Sequence, residues 1–197
     1  MTQTILLLDV MGTLVSEPFV KEIPEFLGLS LDELRARQNR PVFHEFERGA
    51  IDEASYAARY FLDGPLEDVA GMRRTLREGT RLLPGVEATL ERLKAAGVPT
   101  YALSNYSVWF EEIDAATGLS RYLEWKFVSC KTGVRKPDPE AYLGPARTLG
   151  VPPEACLFVD DRDYNVEAAR EVGMRAIHRT PELDLGAALE AAGVFAR

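Results

Sequence analysis

Four aliphatic residues, Ile5 to Leu8, run without a break into Asp9, then into Gly12-Thr13 and a second apolar pair, Leu14-Val15. A short uninterrupted apolar run reads as a strand buried on both faces, and strands of that kind belong to parallel sheets. This segment therefore points to an α/β fold. It also ends in a carboxylate, and the carboxyl end of a strand is where open α/β sheets bind their ligands.

The pattern from residue 83 onward agrees. Pro84-Gly85 opens a helical stretch with Val86, Leu90, Leu93 and Ala96 on one face and Gly97 placed to close it. Short apolar runs follow, PTYALSN, WKFVSC, CLFVDD and RAIH, separated by helical segments. Asp138-Pro139 reads as an N-cap followed by proline at the first helical position, and Pro145 predicts a kink or an early end. Asn165 to Val172 is amphipathic and is closed by Gly173. Strand and helix in repetition mean βαβ units around a Rossmann-like parallel sheet with helices on both faces. Residues 16–82 differ: LDELRARQNR, VFHEFERG and DEASYAARYF are helical in character, with Gly28, Gly49 and Gly64 as punctuation. The expected organisation is a core of residues 1–15 and 83–197 and an all-helical cap, 16–82, inserted after the first strand.

Composition narrows the function. No apolar run approaches the ~20 residues that a membrane helix needs, and the N-terminus lacks the features of a signal peptide. A cytoplasmic protein without a membrane partner is expected. The net charge is −8 with no basic stripe, which argues against nucleic acid. Cys130 and Cys156 lie in or beside apolar runs and read as buried free thiols. His44 and His178, the two histidines, have no partner at metal-ligand spacing. A monomer or homodimer acting on a small molecule fits these bounds.

Four apolar runs end in, or lead into, chemistry: Asp9 after the first, Ser104-Asn105 after the second, Lys136 beyond the third, Asp160-Asp161 after the fourth. In a parallel sheet all these strand ends lie along one edge. Adjacent carboxylates at a buried strand end repel, and a bound cation relieves that cost. A nucleophilic carboxylate beside a Mg²⁺ that clamps a phosphate suits the set. Lys131 is a competing candidate for the cationic role.

Taken in order along nearly the whole chain, these four motifs resemble the haloacid dehalogenase-like hydrolase superfamily, in its helical-cap branch. The resemblance implies an aspartyl-phosphate on Asp9, a loop steadied by Thr13 and a Ser104 hydroxyl bonded to the transferring phosphoryl group. Lys136 would neutralise charge between Asp9 and phosphate. Mg²⁺ would be bound by Asp9, by Asp161, by the main-chain carbonyl of Met11, and by Asp160 as an auxiliary or outer ligand. The substrate would be a small phosphorylated molecule, and the cap would close over it.

One position departs from the pattern. Phosphatases of this superfamily usually carry a general-acid Asp two residues after the nucleophile, where this chain has Met11. A thioether transfers no proton, and losing a general acid costs ~10²–10⁴ in rate. A 2-haloacid dehalogenase also lacks that Asp and is the alternative reading, as is a catalytically weakened binding protein on the same fold. Against dehalogenation, that chemistry needs no metal and no acidic pair, and no arginine follows Val15 closely; Arg35, Arg37 and Arg40 come later, in the cap. DVMGTLV, EPFVKEIPEFLGLS, FHEFERGAIDE and SNYSVWF further resemble a plant-type FMN hydrolase branch, in which Met likewise stands at that position. Tyr106, Trp109 and Phe110 could offer aromatic faces to a flat ring, or could simply pack beneath the cap.

Overall fold

A computed structural model describes residues 4–195 of the chain. Strand β1 (Ile5–Leu8) is followed by helices α1 (Glu22–Leu27), α2 (Leu31–Arg37), α3 (Arg40–Glu47), α4 (Glu53–Ala58) and α5 (Val69–Gly79). Then come α6 (Val86–Ala95), β2 (Thr100–Ser104), α7 (Phe110–Thr117), β3 (Glu124–Val128), α8 (Ser129–Thr132) and α9 (Glu140–Leu149). The chain continues through β4 (Cys156–Asp160), α10 (Asp163–Glu171), β5 (Arg175–His178) and α11 (Leu185–Ala191).

The strands pair in parallel in the order β3-β2-β1-β4-β5. β1 is central because every one of its side chains is apolar and alternate residues fill opposite faces. Leu6 and Leu8 pack with Leu90 and Leu93 of α6, Ile113 of α7 and Leu189 of α11. Ile5 and Leu7 pack with Tyr142 and Ala146 of α9 and Ala169 of α10 on the other face. The sheet is thus covered on both sides. Because the chain builds outward through β2 and β3 and then crosses back to β4, the strand order reverses beside β1. The crevice at that reversal is where such sheets hold ligands.

The five helices of 16–82 leave and return at one point. Val15 bridges Leu82, Ser16 N donates to Arg81 O at 2.8 Å, and Leu83 N donates to Leu14 O at 2.9 Å. Local signals start these helices: Ser30 and Glu33 form a capping box at α2, and Asp52 and Asp68 cap α4 and α5. Their apolar residues Ile23, Phe46, Tyr56, Met72 and Leu76 join the same buried cluster as Trp109 and Ile113 of the sheet domain.

Two local expectations are corrected. The run WKFVSC stops being a strand at Val128, and Ser129-Cys130 turn into α8. Pro145 lies inside α9, which nevertheless runs on to Leu149. A mid-helix proline costs ~3 kcal/mol, and burial of Tyr142, Pro145 and Ala146 along the inner face offsets it. Both cysteines are free thiols. Among the described residues no helix is long and apolar enough to cross a membrane.

Candidate active site

Asp9 leaves the end of β1 and is 7% exposed. Its Oδ2 accepts from Thr13 Oγ1 at 3.0 Å and its Oδ1 from Lys136 Nζ at 2.7 Å. Thr13 can reach back because residues 10–15 coil tightly: the N–H groups of Leu14 and Val15 both donate to Val10 O. The coil turns at Gly12, whose φ is 79°. A β-carbon there would lie 2.7 Å from Asp161 Oδ2, so only glycine admits both this backbone and the neighbouring carboxylate.

Lys136 is not on a strand. It is carried to the sheet edge by Asn105, which grips its backbone from both sides: Asn105 Nδ2 donates to Lys136 O at 2.8 Å, and Lys136 N donates to Asn105 Oδ1 at 2.8 Å. From there Nζ also reaches Asp160 Oδ2 at 2.6 Å. Asp160 is fully buried, and its remaining lone pairs take hydrogen bonds from Arg162 N at 2.8 Å and Asn165 Nδ2 at 3.1 Å. Asp160 is thus committed to holding Lys136, whereas Asp161 stays partly exposed, 3.1 Å from the Arg162 guanidinium. Lys131, the competing cation, instead donates to Trp125 O at 2.7 Å and lies over the Phe110 ring.

Charge in this cluster is unbalanced, with one buried ammonium facing three carboxylates. Burial pushes Asp9 up to about 7 against the pull of Lys136, and Asp160 adds to the rise. Burial alone would lower Lys136, but Asp9 and Asp160 outweigh it and hold the ammonium above the ordinary lysine range. Asp161 is also raised, by burial first. Oxygens of Asp9, Asp160 and Asp161 lie within 4.8 Å of one another. An all-carboxylate set carrying excess negative charge has the donor chemistry to hold a hard divalent cation.

Above this cluster lies a cavity of about 400 Å³. Asp9, Met11, Ser104 and Asn105 form part of its floor. Two helices form its roof with matching faces, Leu31, Leu34 and Arg35 of α2 with its C-cap Gln38, and Arg40, Phe43, His44 and Glu47 of α3. Both sets follow i, i+3, i+4, i+7, one helical stripe each, so periodicity in the sequence marks both faces. Of the three aromatics near Ser104, only Tyr106 lines the cavity. Trp109 and Phe110 are buried, Trp109 edge-on to Phe46 and Tyr56 with centroids 5.3 and 5.6 Å away. Phe19 and Phe43 supply cavity aromatics instead. Arg35 and Arg40, far from Val15 in sequence, nevertheless line the cavity.

Fold and site together define a Rossmann-like α/β domain with a helical insertion and an acidic, metal-competent centre at its strand-order reversal. A family model for haloacid dehalogenase-like hydrolases matches residues 4–173. Flavin mononucleotide hydrolase 1 of Arabidopsis thaliana, a chloroplast protein by its name, is 42% identical over 170 residues, covering 86% of this chain and 69% of that one. A family enzyme of Bacteroides thetaiotaomicron, solved with magnesium and inorganic phosphate, shares the fold at 18% identity, with TM-score 0.72 and coverage of 94% and 98%. An L-2-haloacid dehalogenase is similar at 25% identity, with TM-score 0.66 and coverage of 93% and 87%. The chain belongs to the haloacid dehalogenase-like hydrolase family.

Proposed function

We propose that this hydrolase is a Mg²⁺-dependent phosphate monoesterase with Asp9 as nucleophile, acting on FMN or on a phosphate ester of similar flat, apolar build. The observation that carries the reading is the Lys136 ammonium, held 2.7 Å from Asp9 and 2.6 Å from Asp160 with Asp161 in the same cluster.

In this mechanism an Asp9 oxygen attacks phosphorus, the ester P–O bond breaks and an aspartyl-phosphate forms, which water then hydrolyses. Thr13 and Lys136 fix the two Asp9 oxygens, so the carboxylate meets phosphorus without reorienting. Lys136 remains charged throughout and balances the phosphoryl oxygens. Ser104 donates its hydroxyl to one of them, and Asn105 keeps Lys136 in place. Asp9, Asp161 and the Met11 carbonyl would hold Mg²⁺, with Asp160 behind Lys136. When bound, the ion neutralises phosphate charge and polarises the phosphoryl oxygen. Residues 16–82 act as the cap that excludes water.

The substrate assignment is supported by the Arabidopsis relative's name and by the aromatic lining of Phe19, Phe43 and Tyr106. Purified protein with Mg²⁺ should release phosphate from FMN, stop in EDTA and recover when the metal is restored. Dehalogenation keeps one point in its favour, because Arg35 and Arg40 line the cavity where a haloacid carboxylate would need a cation. Chloride release from 2-chloropropionate in EDTA, with no phosphate release, would replace the phosphatase reading.

A further inference from the structure

We propose that Glu47, at the end of cap helix α3, supplies the leaving-group proton that Met11 cannot. The inference rests on the phosphatase reading. It answers a definite chemical need, since a departing primary alkoxide is a strong base and position 11 offers no proton.

Glu47 lies on the α3 stripe that roofs the cavity, yet the residue is only 5% exposed. It is anchored to the two loops that carry the catalytic floor. Ser129 Oγ donates to Glu47 O at 2.5 Å and accepts from Tyr106 N at 2.9 Å, one residue beyond Asn105. The Glu47 carboxylate is 2.7 Å from Arg135 Nε, next to Lys136. Glu47 Oε2 is buried in that ion pair.

The charged and titratable groups around it are Arg135, Lys136 and Arg48, with Tyr56, Tyr106 and His44. Burial pushes Glu47 up to about 7, against the pull of Arg135, Lys136 and Arg48. A general acid works best when it titrates near the working pH. The other cavity groups serve less well. His44 is driven down by burial and then by Arg135, Arg48 and Arg40, all of which disfavour its protonated form. Burial lifts the Tyr106 hydroxyl far above the ordinary phenol range, so it keeps its proton. Glu17 is paired with Arg162 at 3.3 Å at the cavity's edge.

The steps balance. Asp9 forms its bond to phosphorus as the ester P–O bond breaks, and the electron pair goes to the leaving oxygen. That oxygen takes the proton of the Glu47 carboxyl, giving the alcohol and a carboxylate that Arg135 stabilises. The carboxylate next takes a proton from the water attacking the aspartyl-phosphate, and the Asp9–phosphorus bond breaks with its electrons returning to Asp9. Inorganic phosphate leaves and Glu47 is protonated again.

Leaving-group dependence separates a proton donor from a merely structural residue. With saturating Mg²⁺, Glu47→Gln should lower kcat/KM by about 10²–10⁴-fold on butyl phosphate and FMN, whose leaving groups are primary alkoxides. On p-nitrophenyl phosphate, which needs no proton, the loss should stay under about tenfold. Wild type should lose alkyl-phosphate turnover as pH rises through about 7, and Glu47→Gln should lack that falling limb. Glu47→Asp should retain the limb at reduced rate. Equal losses on both leaving groups, or none on the alkyl phosphates, would overturn the inference while leaving the phosphatase reading intact. If Glu47→Gln fails to fold, Glu47→Asp decides: a retained limb supports the inference and a missing one overturns it. A wild-type protein inactive on all three esters would remove the phosphatase reading, and this inference with it.

Discussion

Asp160 sets the electrostatics of its neighbours from a fully buried position. It accepts from Lys136, Arg162 and Asn165 and is wholly buried. Asp160→Ala should destabilise the fold by about 3–5 kcal/mol in urea unfolding, because Lys136 would lose half its compensation in a dry site. Asp9→Asn is different. An amide oxygen can still accept from Lys136, so the unfolding midpoint should hold or rise while phosphate release drops to near background. Met11 is the informative third case. If Glu47 is the proton donor, Met11→Asp alone should raise butyl phosphate turnover only a few-fold. In the Glu47→Gln background it should raise it by about tenfold or more. Steady-state rates at saturating Mg²⁺ check both, since the added charge also tightens metal.

At the scale of elements, the decisive contact is the one between α3 and α8, which holds the roof to the floor. Ser129 Oγ, 1% exposed as a residue, ties Glu47 O to the Tyr106 main chain. Beside it Gly49 has a φ of 67°, and a β-carbon there would collide with the Cys130 carbonyl. Ser129→Ala leaves buried polar partners unmet and should cost about 1–3 kcal/mol. Gly49→Ala combines a left-handed backbone with a main-chain clash and should cost about 2 kcal/mol or more. Both should weaken alkyl-phosphate turnover beyond p-nitrophenyl phosphate turnover, since they displace Glu47 and leave Asp9 untouched. A Gly49→Ala protein with a wild-type melting curve would contradict this account of the junction.

Across the whole molecule, the buried acids make stability depend on pH with a definite sign. Glu47 titrates at about 7 in the fold and at 4.5 in an ordinary setting, so between those values the folded state holds a proton that the unfolded chain has lost. Stability should therefore fall as pH rises through that window, by about 3 kcal/mol at most from this group. Urea unfolding in EDTA from pH 4.5 to 8 should show the decline, and Glu47→Gln should reduce it. Asp9 shifts in the same direction. Mg²⁺ favours its ionised form, so the metal should stabilise the protein more at pH 8 than at pH 5.

The sequence by itself determined the class of fold and the identity of the chemical groups. Both are local signals: an apolar run such as Ile5–Leu8 can be buried only on both faces, and a polar residue at its end has to lie at the sheet edge. Strand order was not legible, because nothing within β4 says that it pairs with β1 rather than β3. That pairing is what brings Asp160 and Asp161 beside Asp9. The stripes on α2 and α3 could be read as periodicity, yet periodicity marks a face without saying what it faces. Docking of Gly49 and Ser129 against each other's loops decided that the α3 stripe looks into the cavity. Asn105 read as catalytic in kind, and only the fold could turn its amide onto the Lys136 backbone, 31 residues away in sequence. Contacts between segments distant in the chain carry no local signature, and the electrostatics of this site is made almost entirely of such contacts.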